Sequence, residues 1–305
     1  MGQSTPTLEF QKHESVRQGS LRLTELLAAT AARLACLPES EFPSAVHGQR
    51  LLLKRARALL RLLRPALGTT QARRLESRLR TVARALSPAR DQEVGKTLLQ
   101  ELATEANTDR QTAVQEVLDR YVRITSTEIA PARRTRSALK RAAAELARLA
   151  PSLRRCTWKL RGWPVIEAGL RDAFRRARRR FRSASTLSRE TAFHDWRRTV
   201  KTVQYQLGFL RPTSRAKLTL LIDNLDRLGS GLGAEHDLAL LGIRLVKNAR
   251  QLGPAHALAP VRAMVANRQQ FHRKEALKQG RRLFARRPAD FVESLHHAWK
   301  RWRTK

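Results

Sequence analysis

Ala192 to Pro212 reads AFHDWRRTVKTVQYQLGFLRP, and Ala45 to Pro65 reads AVHGQRLLLKRARALLRLLRP. Each stretch opens on a histidine and places basic residues three and seven positions later. The first copy has His47, Arg50 and Lys54, followed by Arg55 and Arg57; the second has His194, Arg197 and Lys201, with Arg198 alongside. Both close on Leu-Arg-Pro, and the separation is 147 residues at the histidines and again at the prolines. At 100° per residue, positions 0, +3, +7 and +10 fall within about an 80° arc of one helix face. The spacing therefore predicts the same cationic helical stripe built twice.

Working outward, the chain has 305 residues, enough for one large domain or two halves, and the duplication favours two halves. Hydrophobic residues make up 42%, so this is a folding chain and not a disordered basic tail. Leu, Ala and Arg dominate, without alternating β-branched runs, which predicts an all-α fold. The expected architecture is two antiparallel helical bundles built on an internal repeat of about 147 residues. The predicted boundaries are a disordered tail over 1–19, a first half over 20–150, a linker over 151–164 and a second half over 165–305.

Within the first half, Ser44 is the expected N-cap of a helix running from His47 to Arg64 and stopping before Pro65. In the second half, Gly229-Ser230-Gly231-Leu232-Gly233 reads as a turn before a new helix at Ala234-Glu235-His236-Asp237-Leu238. It matches the break at Ser87-Pro88 before Arg90 and Asp91. The helix from Ile166 to Arg182 carries seven arginines between Arg171 and Arg182, with Leu170, Phe174, Ala177 and Phe181 as its buried stripe.

The formal charge is +35, from 61 Lys and Arg against 26 Asp and Glu. Self-repulsion on that scale opposes compaction unless a polyanion screens it, and a genome-wide drift toward Arg explains the choice of cation better than the imbalance. Nucleic acid, an anionic membrane surface and inorganic polyphosphate are the candidate partners. Cys36 and Cys156 make neither a disulfide framework nor a zinc site and read as core or half-buried residues. No apolar run is long enough for a membrane span, no secretory signal is read at the N-terminus, and no phosphate-cradling Gly-rich loop or metal-ligand spacing occurs.

Arginine offers bidentate donors, lysine a mobile point charge, and histidine an N–H even when neutral. A lone histidine at a helix start is more often a cap or a packing residue. A histidine heading each of two basic stripes points instead to ligand contact. The candidate anion-binding residues are His47, Arg50, Lys54, Arg55, Arg57, Arg90, Arg175, Arg176, Arg178, Arg179, His194, Arg197, Arg198 and Lys201. No catalytic residue and no cofactor is expected. Asp91 and Asp237 read as helix-start anchors. Aromatic content of 5% is low for a single-strand binder that stacks bases, and only Trp196 lies beside a stripe.

The two His-x-x-Arg-x-x-x-Lys stripes, Ala89-Arg90-Asp91, Leu232-Gly233-x-x-His236-Asp237-Leu238 and the helix from Gly169 to Arg179 together resemble the CHAD domain, the conserved histidine α-helical domain family. The resemblance covers roughly residues 15 to 303. It implies two pseudo-symmetric helical bundles whose His, Lys and Arg side chains line a basic groove for inorganic polyphosphate. The lack of a span and of a secretory signal predicts a cytoplasmic protein, and the resemblance adds association with polyphosphate granules. The triphosphate-hydrolysing domain that some members carry opens on Glu-x-Glu-x-Lys, and neither Glu9-Phe10-Gln11 nor Glu39-Ser40-Glu41-Phe42-Pro43 satisfies it. Thr202 and Gln204 stand where the family's second stripe is usually basic, which weakens the second site relative to the first. The function expected is non-catalytic polyphosphate binding; the alternative is an architectural, sequence-independent nucleic-acid binder.

Overall fold

Ser15 accepts a hydrogen bond from the Gln18 N–H while the Gln18 side chain accepts from the Ser15 N–H, a capping box that starts α1 (Val16–Ala35). A 3₁₀ turn at Glu39–Glu41 leads into α2 (Phe42–Leu67), with Pro43 in its first turn, where the missing N–H costs nothing. The helix starts before the expected Ser44 cap and does not stop ahead of Pro65. A proline in the last turn removes one hydrogen bond, and the helix closes two residues later at Leu67, capped by Gly68, whose φ of 81° suits glycine. Next come α3 (Thr69–Ala85), α4 (Pro88–Glu105), α5 (Thr108–Ser126), α6 (Ala132–Ala147) and α7 (Leu149–Arg155). The chain continues as α8 (Trp163–Leu187), α9 (Glu190–Leu210), a 3₁₀ turn at Arg211–Ser214 and α10 (Arg215–Lys247). It ends with α11 (Ala249–Leu252), α12 (Ala255–Leu283) and α13 (Pro288–Thr304). This computed structural model describes residues 7–86, 88–126, 132–187 and 189–304, and among them there is no strand. The fold is all-α.

The Gly229–Gly233 segment is not a turn: α10 runs through it without a break. The glycines serve close approach. A Cβ at Gly229 would sit 2.6 Å from Lys201 Cε, and one at Gly233 3.1 Å from an Arg197 terminal nitrogen. Bare backbone on α10 thus makes room for two cations of α9, which outweighs the helix-propensity cost of about 1 kcal/mol per glycine.

Helix α2 sits at the centre, packed by α1, α3, α6, α8 and α9. Leu53, Leu59, Leu60, Leu62 and Leu63 are all at most 1% exposed, and each such burial contributes about 1.5–3 kcal/mol. The main core joins these to Phe174, Phe193, Trp196, Val203 and Phe209 of α8 and α9. A satellite core combines Leu99, Val114 and Tyr121 of α4 and α5 with Leu238, Leu245, Leu258 and Val261 of α10 and α12. Both cores draw on residues from either side of 151–164, so the halves do not own separate cores. That expected linker is itself partly helical (α7), and the Lys159 N–H donates to the Ala66 carbonyl at 2.9 Å.

The expected tail over 1–19 packs down from its middle onward. Phe10 is 1% exposed and its N–H donates to the Phe209 carbonyl, Glu9 pairs with Arg211 and Arg215, and Arg303 donates to the Glu14 carbonyl. Two apolar residues without periodicity, Phe10 and Val16, suffice to anchor it. Residues 1–6 lie outside the described part. Cys36, expected to be at least half-buried, is exposed.

Candidate functional site

On α2 the buried leucines leave one strip uncovered. His47 is exposed, and Arg50, Lys54 and Arg57 are half-buried at the 3–4–3 spacing of one helix face. The same face continues through Arg61 and Arg64, two positions that the sequence reading left out. Helix α9 is laid against this strip by a buried hydrogen bond from Gln206 to the Ala58 carbonyl (3.1 Å) and by one from Arg61 to the Thr202 hydroxyl (2.8 Å). Thr202 therefore receives a cation from the opposite stripe where a cation of its own was expected. Gln204 and Lys201 both donate to one Asp226 oxygen, at 2.7 and 2.9 Å.

The result is a cavity of about 210 Å³ lined by Arg50, Lys54, Arg57 and Arg61 of α2, by His194, Arg197, Arg198, Lys201 and Tyr205 of α9, and by His236 and Asp237 of α10. Residues of both predicted stripes face the same space. Outward it shares Arg50, Lys54, Arg197, Lys201 and Tyr205 with a wider cavity of about 680 Å³ that also carries His47, Arg55, Asp226, Arg268 and His272. In the other direction it shares Arg61, Arg198 and Thr202 with a cavity of about 520 Å³ between α3 and α8. Arg176 and Arg179 line that third space.

Two of the predicted arginines of α8 go elsewhere. Arg178 donates through Nε to the Phe284 carbonyl at 3.0 Å, satisfying the end of α12. Arg175 bonds Asp172 at 3.1 Å on the exposed flank and lines none of these cavities. Arg90 and Asp91 fall within α4, and their side chains lie outside the described part of the structure.

His236, which the sequence offers only as part of the Leu232–Leu238 motif, lines the cavity beside His194. Its ring lies 4.3 Å from that of His194, tilted by 44°. The Nδ1 atoms of both rings are buried and accept or donate no hydrogen bond. Burial first, then the charges of His194 and Arg197, push His236 down to about 4; burial, Arg198 and Arg197 likewise lower His194. At neutral pH the pair is therefore uncharged, so the cavity holds two imidazoles with unused hydrogen-bonding capacity amid fixed cations. Burial pushes the Tyr205 phenol up, so it stays a donor. Burial also lowers Arg55, Arg57 and Arg64, reinforced at Arg57 by Arg61 and at Arg64 by Arg176.

Two of the carboxylates nearby, Glu76 and Asp172, are arginine-bound. Burial pulls Glu76 upward, but hydrogen bonds and charge from Arg61 and Arg57 outweigh it and hold it below the usual carboxylate range. Asp172 is held low in the same way, by Arg176, Arg175 and Arg64 against burial. Among the described residues no group of three or more His, Cys, Asp or Glu is arranged to hold a metal. No helix is long and apolar enough to cross a membrane. Trp196 is fully buried beneath α9, so the one tryptophan beside a stripe offers no stacking face to the cavity.

No curated protein sequence matches this chain. A crystal structure described as the CHAD domain from the plant Ricinus communis superimposes with a TM-score of 0.58 at 18% identity, covering 97% of this chain and 95% of that one. At that identity the likeness concerns the fold alone. The sequence profile of the CHAD domain matches residues 21–246, which contain both stripes and His236. The chain belongs to the CHAD domain family.

Proposed function

We propose that this protein binds inorganic polyphosphate, without chemical turnover, in the cavity between α2 and α9. The observation that carries the reading is that cations of two separate helical stripes, Arg50, Lys54 and Arg57 with Arg197, Arg198 and Lys201, line one narrow space together with two uncharged imidazoles. Polyphosphate is a thin line of negative charge with no bases to read, and it needs only spaced cations and N–H donors. Family membership points the same way, since CHAD domains are associated with polyphosphate binding. In this reading Arg50, Arg57, Arg197 and Arg198 grip phosphate oxygens, Lys54 and Lys201 neutralise them, and His47, His194 and Arg55 complete the contacts. Arg176 and Arg179 lie further along, and the cytoplasm is the expected setting.

The test is competition at about 0.15 M salt, because affinity for a polyanion falls steeply with ionic strength. Labelled long-chain polyphosphate is challenged with duplex and single-stranded DNA at equal phosphate concentration. Retention of polyphosphate supports the reading, together with loss of binding in a Lys54→Gln/Arg197→Gln/Lys201→Gln variant. Displacement by duplex DNA on equal terms makes the surface a general anion binder and nucleic acid the partner.

A further inference from the structure

The stripe of α2 does not end with the histidine-lined cavity. Arg61 and Arg64 continue it at the same 3–4 spacing, and the distance from Arg50 to Arg64 along the helix is about 21 Å at 1.5 Å per residue. Both arginines open into the cavity of about 520 Å³ between α3 and α8, where eight arginines face three carboxylates, Glu76, Asp172 and Asp195. Each carboxylate is shared among arginines: Glu76 with Arg57, Arg61 and Arg80; Asp172 with Arg64, Arg175 and Arg176; Asp195 with Arg180 and Arg198. The acids thus order guanidinium groups in advance without cancelling their charge, which lowers the entropy lost on binding. Arg73 on α3 and Arg179 on α8 are exposed and have no carboxylate partner among the described residues. No aromatic side chain lines this space, so it suits an inorganic anion better than a nucleotide.

We propose that this compartment is a second anion subsite, continuous with the first through Arg61 and Arg198, and that it selects long linear phosphate chains over short ones. The inference rests on the polyphosphate reading above. A short oligophosphate fills the histidine-lined cavity alone, whereas a long chain threads onward and gains the contacts of Arg73 and Arg179.

The experiment compares tripolyphosphate with long-chain polyphosphate by calorimetric titration of three proteins: wild type, Arg73→Gln/Arg179→Gln and Lys54→Gln/Lys201→Gln. Unchanged circular dichroism and thermal midpoint establish that the variants are folded. The expected result is that Arg73→Gln/Arg179→Gln weakens long-chain binding about 5- to 30-fold with a shallower salt dependence. Tripolyphosphate binding by that variant should change less than about twofold. The Lys54→Gln/Lys201→Gln variant should weaken both ligands. If Arg73→Gln/Arg179→Gln affects both ligands equally, or neither, while Lys54→Gln/Lys201→Gln still weakens both, the second subsite is refuted and the first reading survives. If Lys54→Gln/Lys201→Gln leaves both affinities intact, both inferences fall.

Discussion

Acidification should destabilise this protein through its half-buried imidazoles, and most strongly through His236. An imidazole in an unfolded chain titrates near 6.5, whereas burial and then the charges of His194 and Arg197 push His236 to about 4 in the fold. Between those values the unfolded chain binds more protons than the folded one. Stability from the neutral ring is therefore fully present above about pH 6.5 and is lost as the pH falls toward 4. At about 1.36 kcal/mol per pH unit the ceiling is roughly 3.4 kcal/mol. The ring is only half-buried, and screening by solvent reduces the expectation to roughly 1–2 kcal/mol. At about 2.1 cal/mol/K per residue, for a chain of 305 residues that is a shift of about 1.5–3 °C in the melting midpoint. The charged groups that line the cavity with the ring are Arg50, Lys54, Arg57 and Arg61 of α2, Arg197, Arg198 and Lys201 of α9, and Asp237 beside it on α10. They are unchanged in a His236→Gln variant, so subtraction isolates the imidazole. Urea unfolding of both proteins in steps from about pH 7.5 to 4.5 is the assay. Wild type should lose stability faster than the variant below about pH 6.5, the two running parallel above it. Profiles that stay parallel throughout would refute the reasoning. A bound polyanion offsets the cations that depress the ring, so binding should take up protons. Polyphosphate affinity should accordingly rise as the pH falls from about 7.5 to 5.5, less so in the variant.

Two further perturbations have definite signs. Asp226 holds Lys201 and Gln204 at the wide end of the cavity, its own carboxyl kept low chiefly by the Lys201 hydrogen bond. Asp226→Asn removes a competing anion, and at the roughly 0.2–1 kcal/mol typical of exposed pairs it should tighten polyphosphate binding about 1.5- to 5-fold by titration. Weaker binding would mean that Asp226 positions Lys201 instead of competing for it. Gly169→Ala tests the seat of α8 on α2: its Cβ would fall 2.1 Å from the Leu62 carbonyl oxygen and 2.8 Å from the Leu62 Cα, so backbone must move. A loss of about 1–3 kcal/mol in urea unfolding is expected, and an unchanged midpoint would show that the two helices are not in contact there.

The stripes were legible because a helix writes its faces into the sequence at 3.6 residues per turn, so His47 to Arg57 and His194 to Lys201 could be placed on common faces before any contact was known. What failed was whatever depended on a second element. Gly229 to Gly233 has the composition of a turn, but glycine serves equally where side chains of a neighbouring helix press close, and only the positions of Lys201 and Arg197 decide between the two uses. Arg178 carries the same charge as Arg179 one residue on; whether a guanidinium faces a cavity or caps the Phe284 carbonyl is set by where α12 ends. His236 sits on a helix that local pattern broke in two, which hid its proximity to His194.

Yet the failures share one direction, and that bears on how the site is made. α2 is buried on nearly every side, and its only long uncovered strip is the cationic one. Covering that strip with apolar neighbours would take a row of closely spaced cations out of water, a desolvation cost that packing alone does not readily offset. The core therefore closes everywhere except along the arginines, and α9 and α10, bringing cations and imidazoles of their own, leave a space instead of a seam. The site is the part of the core that charge prevented from closing. Arg61 and Arg64 extend it for the same reason that Arg50 and Arg57 begin it.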